Sequence, residues 1–301
     1  MKKIFITVFM TILAFAACSN DDEVNSPREE VKIVATIGST ANSKLKATFE
    51  NDGSGEFETG DILYLNCSGP NSIVPVEYEI GNTTLYWDEI SADGSPLNIS
   101  AWYPAYYASD QEEPYLIAGQ DYNTQDLLMA PAVPVDRGDI VNLQFRHVMH
   151  KLVIRLSSDY YTEEELGEAV ITLKNLKSHA MADFDNGTVI AAEASGTDPY
   201  TISNGALAEI IVAPQVLSPG TGFIEIFLPA ADRTFTYKVP EGLTELESGK
   251  TLTLNFELIN TAPLRFAPVN IEAKSVRVEA WDNEGIYSRR VVTNRNERTK
   301  N

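Results

Sequence analysis

The chain has 301 residues, with 43 Asp and Glu against 23 Lys and Arg and a formal charge of −20 at pH 7. This balance argues against nucleic acid as a partner, because phosphate binding needs a basic footprint. It also argues against electrostatic adhesion to an anionic bilayer, and fits a soluble, mutually repelling surface.

The first element is a targeting segment, residues 1–17. Met1-Lys2-Lys3 is a short basic start, Ile4 to Ala17 is apolar, and Phe15-Ala16-Ala17 places small residues directly before Cys18. A lipoprotein signal peptidase reads this pattern, so cleavage is expected between Ala17 and Cys18, with Cys18 carrying the lipid (palmitate). The apolar run is shorter than the roughly 20 residues a permanent span requires. The expected location is therefore the outer membrane, at the cell surface, with Cys18 as the anchor. Loss of Lys2 and Lys3 leaves 284 residues with a charge of −22, a length that suggests two domains. Residues 18–30, polar and broken by Pro27, read as a flexible tether. Cys67 is then the one remaining cysteine. It lies in the strand-like run Ile62–Cys67 and reads as a small buried hydrophobe.

From Val31 onward the hydrophobic period is two, and helical patterns are nearly absent. Val31, Ile33, Ala35 and Ile37 share a face. Val76, Tyr78 and Ile80 alternate with Glu77 and Glu79, and Leu97, Ile99 and Ala101 lead into Trp102-Tyr103-Pro104. Val148, His150, Leu152, Ile154 and Leu156 form a strong strand. Ile224, Ile226 and Leu228, then Leu252, Leu254, Phe256 and Leu258, then Val276, Val278 and Ala280 complete the set. Turn signals separate them at Asn51-Asp52-Gly53, Gly81-Asn82, Asp93-Gly94, Asn186-Gly187, Asn204-Gly205, Pro219-Gly220 and Ser248-Gly249. One short helix is predicted, with Thr162 as N-cap and Glu165 closing a capping box, ending near Ala169. Pro131 to Gly138 reads as a loop, and a domain boundary falls near residues 131–146. The fold class is all-β, of the antiparallel sandwich kind.

Chemistry-bearing patterns are scarce. His147 and His150, three apart, would face opposite ways in a strand and cannot share a metal ion. No carboxylate pair stands out as a glycosidase pair, and no nucleophile elbow, phosphate loop, dinucleotide fingerprint or zinc-protease helix occurs. The sequence therefore assigns no catalytic residue, metal or cofactor. The aromatics Trp87, Trp102 and Tyr103 could stack on sugar rings or pack at a sheet edge.

Several stretches resemble, in order, the Bacteroidales fimbrillin family of type V pilus proteins. They are the lipoprotein signal with acids after Cys18, the strand Val31–Gly38, and Lys46-Ala47-Thr48. Phe57-Glu58-Thr59-Gly60-Asp61-Ile62-Leu63, Ala101-Trp102-Tyr103-Pro104, Asp126-Leu127-Leu128-Met129-Ala130 and Phe145–Leu152 follow, and a last strand ends at Trp281.

The resemblance implies two transthyretin-like antiparallel β-sandwich domains, 31–145 and 146–282, and no enzymatic activity. It implies assembly with other fimbrial subunits into a head-to-tail polymer, and adhesion to a host or bacterial surface receptor. A protease would cut the loop after the first strand, at Lys46 or alternatively Lys44; Arg28 and Lys32 lie too early. Loss of Val31–Gly38, read as a central strand, would open a groove. A neighbour's C-terminal strand, Asn270–Trp281 with Val276, Val278 and Ala280, would fill it. Lys46 departs from the usual Arg, and the basic tail 283–301 is longer than the family pattern. Two other readings stay open: a non-polymerising pilus anchor or tip component, and a surface glycan-binding lipoprotein.

Overall fold

The computed structural model describes residues 28–38, 57–72, 76–104, 115–116, 126–177, 179–192, 201–203, 205–259, 269–280 and 289–290. In chain order the first half contains β1 (Lys32–Ile37), β2 (Ile62–Ser68), β3 (Val76–Glu79), α1 (Trp87–Ile90), β4 (Leu97–Tyr103), β5 (Tyr115–Leu116), β6 (Leu128–Val135) and β7 (Ile140–His147). The second half begins with β8 (His150–Ser157), α2 (Glu163–Gly167), β9 (Val170–Leu173), β10 (His179–Asp183), β11 (Thr188–Ala192), β12 (Thr201–Ser203) and β13 (Leu207–Val212). It continues with β14 (Gln215–Val216), β15 (Gly222–Leu228), β16 (Arg233–Lys238), β17 (Glu245–Leu246), β18 (Lys250–Glu257), β19 (Val269–Asn270), β20 (Ala273–Ala280) and β21 (Arg289–Arg290).

Strand alternation decides the layers. The first half builds a six-stranded sheet in the order β1-β7-β6-β4-β2-β3. Its inward residues, among them Val31, Ile37, Leu63, Leu65, Ile99, Val141, Leu143 and Phe145, form one core. The second half builds two five-stranded sheets, β12-β9-β15-β16-β19 and β13-β8-β18-β20-β21. Leu152 and Ile154 from one sheet meet Ile224 and Ile226 from the other in a second core, the face-to-face packing of a sandwich. A third core lies between the halves. There Trp102 packs with its ring centroid 4.5 Å from that of Tyr64 and 4.1 Å from that of Phe184, which lies at the end of the β10–β11 hairpin.

The all-β class holds, with four adjustments. The sheets are mixed rather than purely antiparallel: β1 runs parallel to β7, β8 to β18 and β16 to β19. Strands distant in sequence can meet in either direction, and periodicity carries no sign of direction. Among the described strands the first lies at the sheet edge rather than in the centre, with β7 as its one neighbour. The expected loop from Pro131 is strand as far as Val135. Its ladder to β7 covers only Leu128–His147 and Met129–Arg146, because Pro131 and Pro134 carry no N–H. Finally, His147 and His150 do not share a strand. His147 ends β7, His150 opens β8, and the chain turns between them.

The turn signals are accurate: Gly81, Gly94, Gly187, Gly205, Gly220 and Gly249 all take positive φ, while Asn51–Gly53 lies outside the described residues. Gly249 has a second reason to be glycine. A Cβ there would sit 2.9 Å from the carbonyl oxygen of His147, and its N–H donates to Met149 at 2.9 Å, clamping the turn between the halves. The predicted helix forms with Thr162 as cap and Glu165 Oε2 accepting from the Thr162 N–H at 2.8 Å. The single turn α1 has no periodic signature, since four residues are too few to show one.

Candidate functional site

The candidate site is built around the first strand. β1 and the residue before it keep a period of two: Val31 and Ile37 are buried, Ile33 and Ala35 are half-buried, and Val34 on the other face is 46% exposed. Ile37 stands opposite Phe145 and Ala35 opposite Leu143, so β1 covers the outer flank of β7. Burial of Val31 and Ile37 alone contributes on the order of 3–6 kcal/mol, at about 1.5–3 kcal/mol per side chain. Beyond β1, the Gly38 N–H donates to Phe145 at 2.9 Å.

The start of the strand is held by charge. Arg28 Nη2 lies 2.9 Å from Asp88 Oδ1 and 2.8 Å from Glu89 Oε1, with its guanidinium 4.2 Å above the Tyr86 ring. Arg137 Nε reaches Glu29 Oε2 at 2.7 Å. Two backbone bonds complete this latch: Val31 N–H to Leu85 O and Trp87 N–H to Glu29 O, both 2.8 Å. Hydrogen bonding from Arg28 holds the Asp88 carboxyl below the usual carboxylate range. The Glu89 carboxyl is held low first by the Tyr86 N–H and then by Arg28. The same contacts push the Arg28 guanidinium above its ordinary value. Nothing in the sequence signals this latch, since Arg28 and Asp88 are 60 positions apart.

The stretches quoted for the resemblance have structural work around the same sheet. Phe57 is buried, edge-on to Tyr103 at 5.4 Å and to Phe145 at 4.8 Å between ring centroids. Asp61 ties its own turn, accepting from the Glu58 N–H at 2.6 Å and from the Tyr103 hydroxyl at 3.1 Å. Burial raises its carboxyl above the ordinary value in spite of these bonds. Asp126 and His147 meet in the interior, Oδ2 to Nδ1, at 2.6 Å. His150 donates its Nδ1–H to the Glu247 carbonyl oxygen at 2.7 Å, and burial lowers its pKa to about 4.

The last long strand, β20, lies antiparallel to β18, with Val278 opposite Leu252 and Val276 opposite Leu254. Val276, Val278 and Ala280 are each half-buried. They carry the same i, i+2, i+4 spacing as Ile33, Ala35 and Ile37 of β1.

The remaining candidates separate. Trp87 and Trp102 are in the cores, 2% and 0% exposed. No ring face is open to a sugar there, because the aromatics that looked like a binding platform fill the space under the sheets. Tyr103 is half-buried against Phe57. Cys67 is buried, and burial pushes its thiol up to about 12. Among the described residues, no three His, Cys, Asp or Glu side chains converge as a metal site would require. Ala17, Cys18, Lys44, Lys46 and Trp281 lie outside the described residues; the stretch 39–56 between Gly38 and Phe57 contains both lysines.

The sequence profile of fimbrillin-like proteins matches residues 76–281. Two solved structures share the fold. A candidate cell adhesion protein from Bacteroides uniformis is 18% identical with a TM-score of 0.61, covering 84% of this chain and 99% of its own. A second, from Bacteroides ovatus, is also 18% identical with a TM-score of 0.61, covering 86% of this chain and 100% of its own. No curated protein matches the chain.

Proposed function

Because the chain belongs to the fimbrillin-like family, we propose that it is a structural subunit of a surface fimbrium that assembles by exchange of its first strand. The subunit is made as an outer-membrane lipoprotein anchored through Cys18. Its two lobes act as two domains, joined near the turn 147–150. A protease cuts within 39–56, at Lys46 or Lys44, and β1 leaves.

The supporting observation is the construction of β1. Among the described strands it lies at the sheet edge and pairs with β7 alone, yet Ile37 and the adjoining Val31 are buried in the core. Its departure leaves apolar side chains and an unpaired edge on β7, and another strand satisfies both. A neighbour's β20 offers Val276, Val278 and Ala280 at the spacing of Ile33, Ala35 and Ile37. Such a contact joins unlike surfaces and does not close, so it grows into a filament. Retention of β1 and the lipid would instead make the subunit an anchor.

Limited trypsin digestion of purified residues 19–301, followed by intact mass and size-exclusion chromatography, tests the reading. A cut after Lys44 or Lys46 with growth into SDS-resistant ladders is expected. A confirmed cut that leaves only monomer sinks the exchange role, and resistance at both lysines points to the anchor.

A further inference from the structure

The second lobe sends one hairpin out of its own sheets. β9 and β12 are neighbours there, with Thr201 opposite Thr172 and Ile202 opposite Ile171. Between them in sequence the chain leaves, forms β10 and β11, and comes back. Among the described strands, this excursion adds none to either sheet of the second lobe. It lies instead on the first lobe's sheet, on the face turned away from that lobe's core. Trp102 and Met129 point to that face, while their neighbours Ala101, Leu128 and Ala130 belong to the first core. Ala180, Phe184 and Val189 of the excursion are buried against them. Met181 and Ile190, opposite one another on the hairpin's other face, are exposed. β10 also takes a strand of the first half as its neighbour, with Ala180 opposite Tyr115.

The tip of the hairpin is shaped as a clasp. The Asp183 carboxylate closes the turn, accepting from the Asn186 N–H at 3.0 Å and from Asn186 Nδ2 at 2.8 Å. Phe184 turns inward, its ring centroid 4.1 Å from that of Trp102. Three strands of the first lobe then each give the tip one hydrogen bond. Asn66 Nδ2 of β2 donates to Asp185 Oδ1 at 2.6 Å, the Ala132 N–H of β6 to the Asp185 carbonyl at 3.1 Å, and Arg146 Nη2 of β7 to the Gly187 carbonyl at 3.3 Å. Gly187 has a φ of +62°, and a Cβ there would sit 3.2 Å from Pro131 Cγ, so glycine suits both the turn and the close approach. The covalent link between the lobes is short by comparison. β7 ends at His147 and β8 begins at His150, with Val148 and Met149 between them. The Val148 N–H donates to Leu127 at 3.1 Å, and its carbonyl accepts from Ser248 Oγ at 2.9 Å. Ile211 and Ala213 add packing from the second lobe.

We propose that the β10–β11 hairpin is a strap that sets the angle between the two lobes and opens without unfolding either of them. With the tip seated, Phe184 and Asp185 hold the second lobe against the first. With the tip lifted, Trp102 is uncovered and the lobes swing about Val148 and Met149. A two-stranded hairpin keeps its shape through what it packs on, whereas each lobe has a core of its own. The strap therefore opens at a lower free energy than either lobe unfolds. The inference does not depend on strand exchange; it concerns the uncut chain.

Hydrogen exchange and small-angle X-ray scattering on the full-length mature protein test it. The variants are Asn66→Ala, Asp185→Ala, Phe184→Ala and the triple Asn66→Ala/Phe184→Ala/Asp185→Ala. Hairpin amides should exchange about tenfold faster in Asp185→Ala, which loses a hydrogen bond to a carboxylate. Asn66→Ala should match it, because the two changes remove the same bond. Phe184→Ala should accelerate the same amides about a hundredfold. Amides of β2 and β18, one strand from each lobe, should keep their wild-type rates in all four variants, which also verifies that the lobes stay folded. The radius of gyration should rise in the triple variant. Hairpin amides indifferent to Asp185→Ala and Phe184→Ala overturn the proposal. So does acceleration of β2 and β18 along with the hairpin, since the hairpin would then be part of one cooperative fold. Fast hairpin amides with unchanged scattering in the triple variant overturn it as well, since the turn with Ile211 and Ala213 would then hold the angle unaided.

Discussion

The first and last long strands of this protein are alike in pattern and unlike in commitment. β1 and β20 each present three small or branched apolar residues on one face at alternate positions. Among the described strands β1 has one neighbour, yet Ile37 and the adjoining Val31 are buried, and a charged latch secures its start. β20 lies between two strands, with eight residues along β18, and none of its three apolar residues is fully buried. Ladder hydrogen bonds and core burial are thus distributed oppositely. A strand rich in burial leaves a large apolar scar when it goes, and a strand held mainly by backbone pairing can exchange one ladder for another at little net cost. Under the proposed exchange, the difference suits β1 to be the strand removed and β20 to be the strand that moves.

The largest expected effect separates the two directly. Ile37→Ala empties a fully buried site beside Phe145 and should destabilise the protein by about 2–5 kcal/mol. Val276→Ala trims a half-buried side chain of β20 and should cost about 1 kcal/mol or less. Denaturant unfolding of the two variants gives the ratio. Equal losses would remove the contrast and with it the argument for which strand leaves.

Acid should act on the two strands through different groups and in different windows. His150 opens β8 in register with Lys250 of β18, which in turn faces Ala280 of β20. Burial lowers His150 from 6.5 to about 4. The unfolded chain therefore takes up this proton first, so stability is lost as pH falls from 6.5 toward 4. The loss is roughly 3 kcal/mol at 1.36 kcal/mol per unit. Stability measured across that window should decline for the wild type and stay flatter for His150→Gln. Parallel pH profiles for the two proteins would show that some other group carries the loss.

How much of this was legible in the sequence depends on the range of the interaction. Alternation gave the inward faces of β1, β18 and β20 and the all-β class, because side-chain direction is fixed locally by the pleat. Positive-φ glycines and the Thr162–Glu165 box were legible for the same reason. Strand direction and sheet position were not. That β1 lies at an edge, parallel to β7, follows from a pairing across more than a hundred residues, which no local pattern encodes. Trp87 and Trp102 show the other limit: an aromatic cluster looks the same in sequence whether it lines a surface or fills a core. Here Trp102 closes the space between the lobes, between Tyr64 and Phe184. The latch residues Arg28, Glu29, Asp88, Glu89 and Arg137 were invisible as a set because three distant segments supply them.

That latch gives the smallest effect on stability and the finest test of the comparison. Its ion pairs are exposed, so Arg28→Ala should change global unfolding less than either of the other substitutions. The Asp88 and Glu89 carboxyls are held low in the folded protein. Their contribution is therefore complete above the ordinary carboxylate values near 4 and fades as pH falls through the lowered ones, below the window in which His150 acts. Locally the loss should be larger than the global effect suggests, because among the described strands β7 alone holds β1. The Val31 amide, bonded to Leu85 across the latch, should exchange several-fold faster in Arg28→Ala, while amides of β20 keep their rates. The same acceleration should follow from high salt in the wild type. If the Val31 and β20 amides speed up together, the two strands belong to one cooperative unit, and the latch holds the whole fold rather than the first strand alone.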